Sequence, residues 1–486
     1  MAELAVEIEQ LSQTILNDAE AIAATWSAGS ARTDFAASAR NLAQYLALRR
    51  RDLRPLQRRL MALGLSSLGR AESRVMPTLD ALGQVLAAAT GRMPPKPLAD
   101  AGFFDGEQLI TSRAEALLGA LSRHRPTRLL VTLPSESADD PLFLNQLAER
   151  GVEAVRINCA HDDAVAWAKM ISHVEAAADA TGRRMKVMMD LPGPKIRTGA
   201  VRKGAKGSRL LPGDEFAVVC PGQMDRAPKK LPAVECEVGA ALLAAEPGHL
   251  VYLDDGKVAA TVLATNDWGL RLGVDVCPEG KGYKLKPEKG LNFPDADIDV
   301  PALTDDDRSL LPFLARHADA IEFSFVQTAE DVADLQAALA QERPDDWREL
   351  GLVLKVETKR AVRNLPEMLV ASAGQQPTAV MIARGDLAVE IGFARLAEMQ
   401  EEILWLCEAA HVPAIWATQV MESFLKTGIA SRGEMTDAAM ATRAECVMLN
   451  KGPHLFAGIA TLDRLLGRMG DHMYKKTYLL RSLKSW

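Results

Sequence analysis

No uninterrupted apolar run among the 486 residues approaches the roughly 20 needed to span a bilayer. The opening MAELAVEIEQLSQ is acidic and amphipathic, unlike the basic-then-apolar pattern of a leader. Both absences lead to the expectation of a cytoplasmic protein with no membrane partner. A basic excess is missing too. Lys and Arg number 57 against 64 Asp and Glu, a formal charge of −7, so nucleic acid is not an expected partner and phosphate recognition has to be local. The six cysteines (Cys159, Cys220, Cys236, Cys277, Cys407 and Cys446) form no CxxC and no zinc-like spacing with histidine. They read as reduced, buried thiols. No GxxxxGK[ST] occurs, so a bound nucleotide is not held by a P-loop.

What is present is enough apolar residue, 48%, for substantial cores. Residues 1–124 are helical in texture, with apolar residues three and four apart in QYLALRRRDLRPLQRRLMALGL and MPTLDALGQVLAAA. Pro94, Pro95 and Pro97 interrupt that pattern. From Arg128 onward, short β-branched or apolar runs each precede a segment of helical period: RLLVTLP, EAVRIN, KVMMD, AIEFSFV, LVLKVE, AVMIAR, PAIWAT and CVMLN. Eight such units close a barrel that side chains can fill. The period fails once, where residues 199–291, rich in Val, Gly and Asp, read as an inserted β domain. The expected fold is therefore α/β, a (β/α)8 TIM barrel over 125–198 and 292–466. To it are added the helical region 1–124, the insert 199–291 and a tail 467–486 carrying Lys475, Lys476, Arg481 and Lys484. Thr304 with Asp307, and Ser431 with Glu434, have the spacing of capping boxes.

In a barrel of this kind the strand C-termini converge on one face, so polar residues that end apolar runs carry the interest. Lys355 and Glu357, two apart, share one side of a strand; Asp386 and Thr418 end the next two units. Two carboxylates can bind Mg²⁺ or Mn²⁺ and leave positions open for substrate oxygens, and a lysine beside them can stabilise a phosphoryl group or an enolate. The same residues would also suit a rim ion pair and a helix cap. Arg156 with Asn158, and Asp190 with Arg197, end the second and third runs, and arginine's planar fork matches phosphate.

RINCAH, DLPGPKIRTG, LVLKVET, MIARGDLAVEI and ATQVMES, in this order and at barrel spacing, resemble the successive strand-end motifs of pyruvate kinases over residues 128–465. The resemblance implies a small β-barrel as the inserted domain, and an activity: phosphoenolpyruvate and ADP give pyruvate and ATP. It assigns Glu357 and Asp386 to the divalent metal, Lys355 to the phosphoryl group and enolate, and Arg156 to the substrate phosphate. Thr418 falls near the carbon that is protonated, and the backbone of Ala383, Arg384 and Gly385 near the pyruvate carboxylate. Asn158, His161 and Arg197 fall on the nucleotide side; Asn158, Asp190 and Lys195 fall in the monovalent-cation region. A homo-oligomer is the expected assembly.

Four departures qualify this. Ala160 stands where the family has a serine associated with the monovalent cation, while Lys195 replaces a glutamate and Leu191 a threonine, a combination that resembles the branch that needs no K⁺. The eighth motif reads Met448, Leu449, Asn450, Lys451, Gly452 in place of MLSGE, and LPSES replaces a glycine-containing turn in the first. The C-terminal α/β domain that binds effectors in the family is not expected in this sequence. These changes keep open an altered phosphoryl acceptor, or a relative without catalysis. GLSSLGRAE, in the helical region, has no assigned mechanism.

Overall fold

Runs of four to six residues that are apolar on both faces suit strands covered on both sides, and each of the eight is one in the computed structural model. They are β1 Arg128–Thr132, β2 Ala154–Asn158, β3 Lys186–Asp190, β4 Ala320–Phe323, β5 Gly351–Val356, β6 Thr378–Ala383, β7 Ala414–Ala417 and β8 Cys446–Leu449. All pair in parallel with their chain neighbours, and β8 pairs with β1 to close the ring. The structure describes residues 1–26, 32–91, 102–121, 125–205 and 207–482; Pro94, Pro95, Pro97 and Lys484 lie outside them. Both expected capping boxes are made, at Thr304 and Ser431. A third, Thr328 with Asp331, starts helix Ala329–Glu342. Each fixes where a crossover helix leaves the barrel rim, at about 1 kcal/mol apiece.

The helical region comprises α1 Ala2–Ala24, α2 Ala36–Arg49, α3 Arg54–Ala62, α4 Val75–Ala89 and α5 Asp105–Leu118. Leu4, Ile8, Ile15, Ala19 and Ile22 form the buried stripe of α1, which packs on α2 and α4. It is not a separate body. Ala114, Leu117 and Leu118 of α5 enter the inner core of the barrel from the floor, the N-terminal end of its strands. A Cβ at Gly351, where β5 begins, would stand 2.1 Å from Leu117, so a side chain there would collide with this plug. Asn41 of α2 donates to the carbonyls of Glu72 and Ala409, and buried His411 bonds Ser38 and the Ser73 carbonyl. These contacts fasten the helices to the barrel floor.

Between β3 and β4 the chain builds a barrel-like sheet of seven strands, from Thr198–Arg202 to Leu291–Asn292, around a core that includes Phe216, Val234, Val251 and Leu270. After helix Leu455–Gly470 a hairpin, Met473–Tyr474 with Thr477–Tyr478, returns to the floor. There Lys475 pairs with Glu445 and Lys476 with Glu72. Among the described residues no helix is long and apolar enough to cross a membrane. All six cysteines are free, and all but the half-buried Cys220 are buried.

Candidate active site

Arg156, on β2, spreads its guanidinium over three neighbours at the barrel mouth. Nε donates to Glu322 of β4 at 3.0 Å, Nη1 donates to Thr132 Oγ1 at 3.1 Å, and Nη2 pairs with Asp190 at the end of β3. A guanidinium has five N–H donors, so two are left for a ligand. Lys355, on β5, approaches Asp190 from the other side. Its ammonium lies 3.0 Å from Asp190 Oδ1, 2.5 Å from Ser324 Oγ and 3.3 Å from Glu357 Oε1. Those three acceptors match its three N–H donors.

Glu357 Oε2 also accepts from the Phe325 amide at 2.6 Å, and Phe325 holds a left-handed φ of 56°, uncommon for a bulky residue. The DLPGPK loop fits against this turn through Gly193. Its φ is 67°, and a Cβ there would stand 3.0 Å from Ser324 and 3.1 Å from Phe325. The cluster is almost dry: the side chains of Asp190 and Glu357 are 4% exposed and that of Glu322 is 0%.

Burial sets the charge states, and the partners correct them. Burial pushes Asp190 up, but Arg156 and Lys355 outweigh it and hold the carboxyl below its usual range. For Lys355 burial favours the neutral amine, yet Asp190 and Glu357 raise its pKa and keep the ammonium. Glu322 is pushed up to about 7, by burial first and by the Asp190 charge second, against Arg156 and Lys355. Glu357 is raised by burial, with Lys355 opposing and Asp386 adding like charge.

Asp386 belongs to the first turn of helix Arg384–Ile391, which follows β6 directly. Its Oδ1 accepts from Lys195 at 2.9 Å. Lys195, grouped above with Asn158 and Asp190, pairs here with Asp386. Among the described residues no three or more His, Cys, Asp or Glu converge as a metal cage. Glu357 and Asp386 are near enough for like charge to act between them, and such a pair suits a hard divalent ion that takes its other ligands from water and substrate. The donor set therefore fits Mg²⁺.

Thr418, just past β7, has a φ of 62°, followed by Gln419 at 55° and Met421 at 51°. Left-handed backbone at non-glycine residues persists only where the surroundings impose it. Here the Arg384 side chain imposes it. Nε donates to Ala417 O at 2.9 Å, Nη2 to Thr418 O at 2.6 Å, and Nη1 pairs with Asp437. Thr418 Oγ1 accepts from the Gly385 amide at 2.7 Å.

Two cavities open beside the cluster. One, of about 220 Å³, is lined by Lys195, Phe325 and Asp386, and by Asn292 and Glu390, which bond each other at 3.1 Å between the insert and the barrel. The other, of about 290 Å³, is lined by Arg156, Asn158, His161, Asn450 and Lys451. Asn158 and His161 therefore line the same cavity, whereas Arg197 lines neither; its backbone bridges Gly290 at the base of the insert.

A family model described as pyruvate kinase, barrel domain, matches residues 124–453. The chain belongs to the pyruvate kinase family. It is similar to pyruvate kinase 1 of Trypanosoma brucei brucei, 31% identical over 336 residues that cover 68% of this chain and 63% of that one. It is likewise similar to pyruvate kinases of Agaricus bisporus (32% over 334 residues; 67% and 59%) and Thermotoga maritima (27% over 372 residues; 74% and 73%). The chain spans less than two thirds of the length of the first two.

Reading strand ends for pyruvate kinase motifs passed over Glu322 and Ser324, which complete the ring around Asp190 and Lys355. The signal was available: AIEFSFV carries a carboxylate inside an otherwise apolar strand, where a charge is kept only if paired.

Proposed function

We propose that the chain is a Mg²⁺-dependent phosphotransferase that moves a phosphoryl group from phosphoenolpyruvate to ADP, giving pyruvate and ATP. The observation that carries this reading is the Lys355 ammonium, fixed among Asp190, Ser324 and Glu357, the last of which also feels the Asp386 charge. Glu357 and Asp386 hold the divalent ion, Mg²⁺ or Mn²⁺, which when bound neutralises charge on phosphoryl oxygens. Arg156 grips the substrate phosphate with its two remaining donors. Lys355 exchanges one protein acceptor for a substrate oxygen, and Glu357, the longest contact at 3.3 Å, is the one most easily released. The ammonium then stabilises the phosphoryl group in transfer and the enolate left behind.

The backbone at Ala383, Arg384 and Gly385 helps to seat the carboxylate of pyruvate at a helix N-terminus. Thr418, whose oxygen accepts from Gly385, keeps its hydroxyl proton directed to the enolate carbon side. Asn158 and His161 face the nucleotide, and Arg197 joins them when the inserted domain closes over the mouth and excludes water. Lys195 supplies a fixed ammonium at Asp386, so turnover needs no K⁺.

The test is ATP formation from phosphoenolpyruvate, ADP and Mg²⁺ at constant ionic strength, with K⁺ or tetramethylammonium as the monovalent cation. Equal rates in both salts are expected. No ATP in either salt sinks the reading, and ATP only with K⁺ removes the role given to Lys195. A second reading keeps the enolate chemistry and changes the acceptor; it is favoured by Asn450 and Lys451, which replace the family's residues and line the cavity beside Arg156. Metal-dependent proton exchange at the pyruvate methyl group, without turnover of ADP, selects it.

A further inference from the structure

The segment Gly64 to Glu72, GLSSLGRAE, takes no part in the chemistry of the mouth, yet it helps to wall a cavity of about 370 Å³ at the opposite end of the barrel. The other walls are the end of α2 with its turn into α3, Trp405 of helix Phe393–Ala409, and Lys476 of the C-terminal hairpin. Three distant parts of the chain thus enclose a space of small-molecule size. Its apolar lining is firm: Tyr45, Leu48 and Leu68 are buried. Leu68 is held at a φ of 60°, next to Ser67, whose carbonyl accepts from Gln57 Nε2 at 2.8 Å.

The charge of this lining is one-sided. Arg49, Arg51, Arg54 and Lys476 face it with only Asp52 and Glu72 against them, in a chain whose net charge is −7. Asp52 is engaged by Arg54, and Glu72 by Lys476 on one oxygen, its Oε2 being buried without a hydrogen-bond partner among the described residues. Arg51 pairs at 2.6 Å with Asp18, which lies outside the lining. Arg49 has no carboxylate partner among the described residues. Among the described residues its guanidinium makes one hydrogen bond, from Nη1 to the Tyr45 hydroxyl at 2.6 Å, out of five donors. The guanidinium is nonetheless held in position, 4.6 Å from the centroid of the Trp405 ring, and Lys476 Nζ is 4.8 Å from the same ring. A fixed, unpaired planar cation beside aromatic and leucine side chains is preorganised for an anion with an apolar body.

We infer that this cavity is a second binding site, separate from the phosphoryl-transfer mouth, for a small organic phosphate with a flat or apolar body. The phosphate meets Arg49, and the body covers Trp405, Leu48 and Leu68. No residue of the proposed catalytic set lines it, so the site stands whether or not the chain turns over phosphoenolpyruvate.

Calorimetric titration of the full chain with phenyl phosphate tests this, with inorganic phosphate and benzoate as separate titrants. Phenyl phosphate is expected to bind more tightly than either, and Arg49→Gln to weaken it by about tenfold or more, the effect of losing a charge-assisted contact. Arg49 is at the exposed rim of the cavity, so the variant should melt as the wild type does and keep its turnover. Should Arg49→Gln fold poorly, Arg49→Lys replaces it: the charge stays, the fork is lost, and binding must still weaken at unchanged melting temperature. Unaltered binding in both variants, absence of heat with millimolar phenyl phosphate, or tighter binding of benzoate would each overturn the inference.

Discussion

Two buried charge clusters stand at opposite ends of one barrel. The mouth joins Arg156 and Lys355 to Asp190, Glu322 and Glu357, and the floor joins Lys475 and Lys476 to Glu72, Glu408 and Glu445. In each, two cations face three carboxylates, yet the two are built for different ends. At the mouth the groups come from consecutive strands, and Arg156 both lines a cavity and keeps donors in reserve. On the floor they come from parts of the chain far apart in sequence and bind those parts together. Glu445 takes Lys475 on one oxygen and the Ala414 amide of β7 on the other, at 2.8 Å. Position in the fold, more than composition, sets the two clusters apart.

Breaking each cluster should therefore give opposite phenotypes. Lys355→Met is expected to lower turnover by about 10³-fold, as loss of a group aimed at developing charge does. A coupled pyruvate assay, with protein shown to be folded by circular dichroism, measures it. Glu445→Gln is expected to lower unfolding free energy by about 3–5 kcal/mol, because it leaves Lys475 buried without its charge partner. Its turnover at a permissive temperature should stay close to the wild-type rate. Urea unfolding checks the first part and the same assay the second; a large loss of turnover without loss of stability would erase the distinction.

The smallest effect concerns pH. Burial pushes Glu408 up to about 7, with Lys475 and Lys476 pulling it down and Glu72 and Glu445 pushing it up. A carboxyl raised in the folded state from 4.5 binds more protons folded than unfolded. Its stabilising contribution is thus complete below pH 4.5 and is lost as the pH rises through about 7. The melting temperature of Glu408→Gln should vary less over this window than that of the wild type. A parallel decline in both proteins would show that Glu408 does not titrate there.

The same contrast explains what the sequence made legible. Strand-end chemistry is local: Lys355 and Glu357 are two residues apart, and Asp386 and Thr418 follow at one βα unit each, so barrel periodicity alone brings them to one face. Capping boxes at Thr304 and Ser431 are local in the same sense, and the one at Thr328 was readable in TAED. The floor has no such pattern, since residues 72, 408, 445 and 475 meet only after the barrel, α2 and the hairpin are in place. Neither could the plug of α5 under Gly351 be read, because a helix period does not say which core receives its apolar stripe. Lys195 lies between these cases: its loop was recognisable, but its partner, Asp386, was settled by how the DLPGPK turn crosses the mouth.

The account rests on Glu357 and Asp386 sharing one divalent ion beside Lys355. Electron paramagnetic resonance of Mn²⁺ titrated into the chain with phosphoenolpyruvate tests that claim most directly. One bound ion in the wild type, weakened by about tenfold or more in both Glu357→Gln and Asp386→Asn and unchanged in Glu408→Gln, is the predicted result. Equal Mn²⁺ affinity in the wild type and both mouth variants would contradict it.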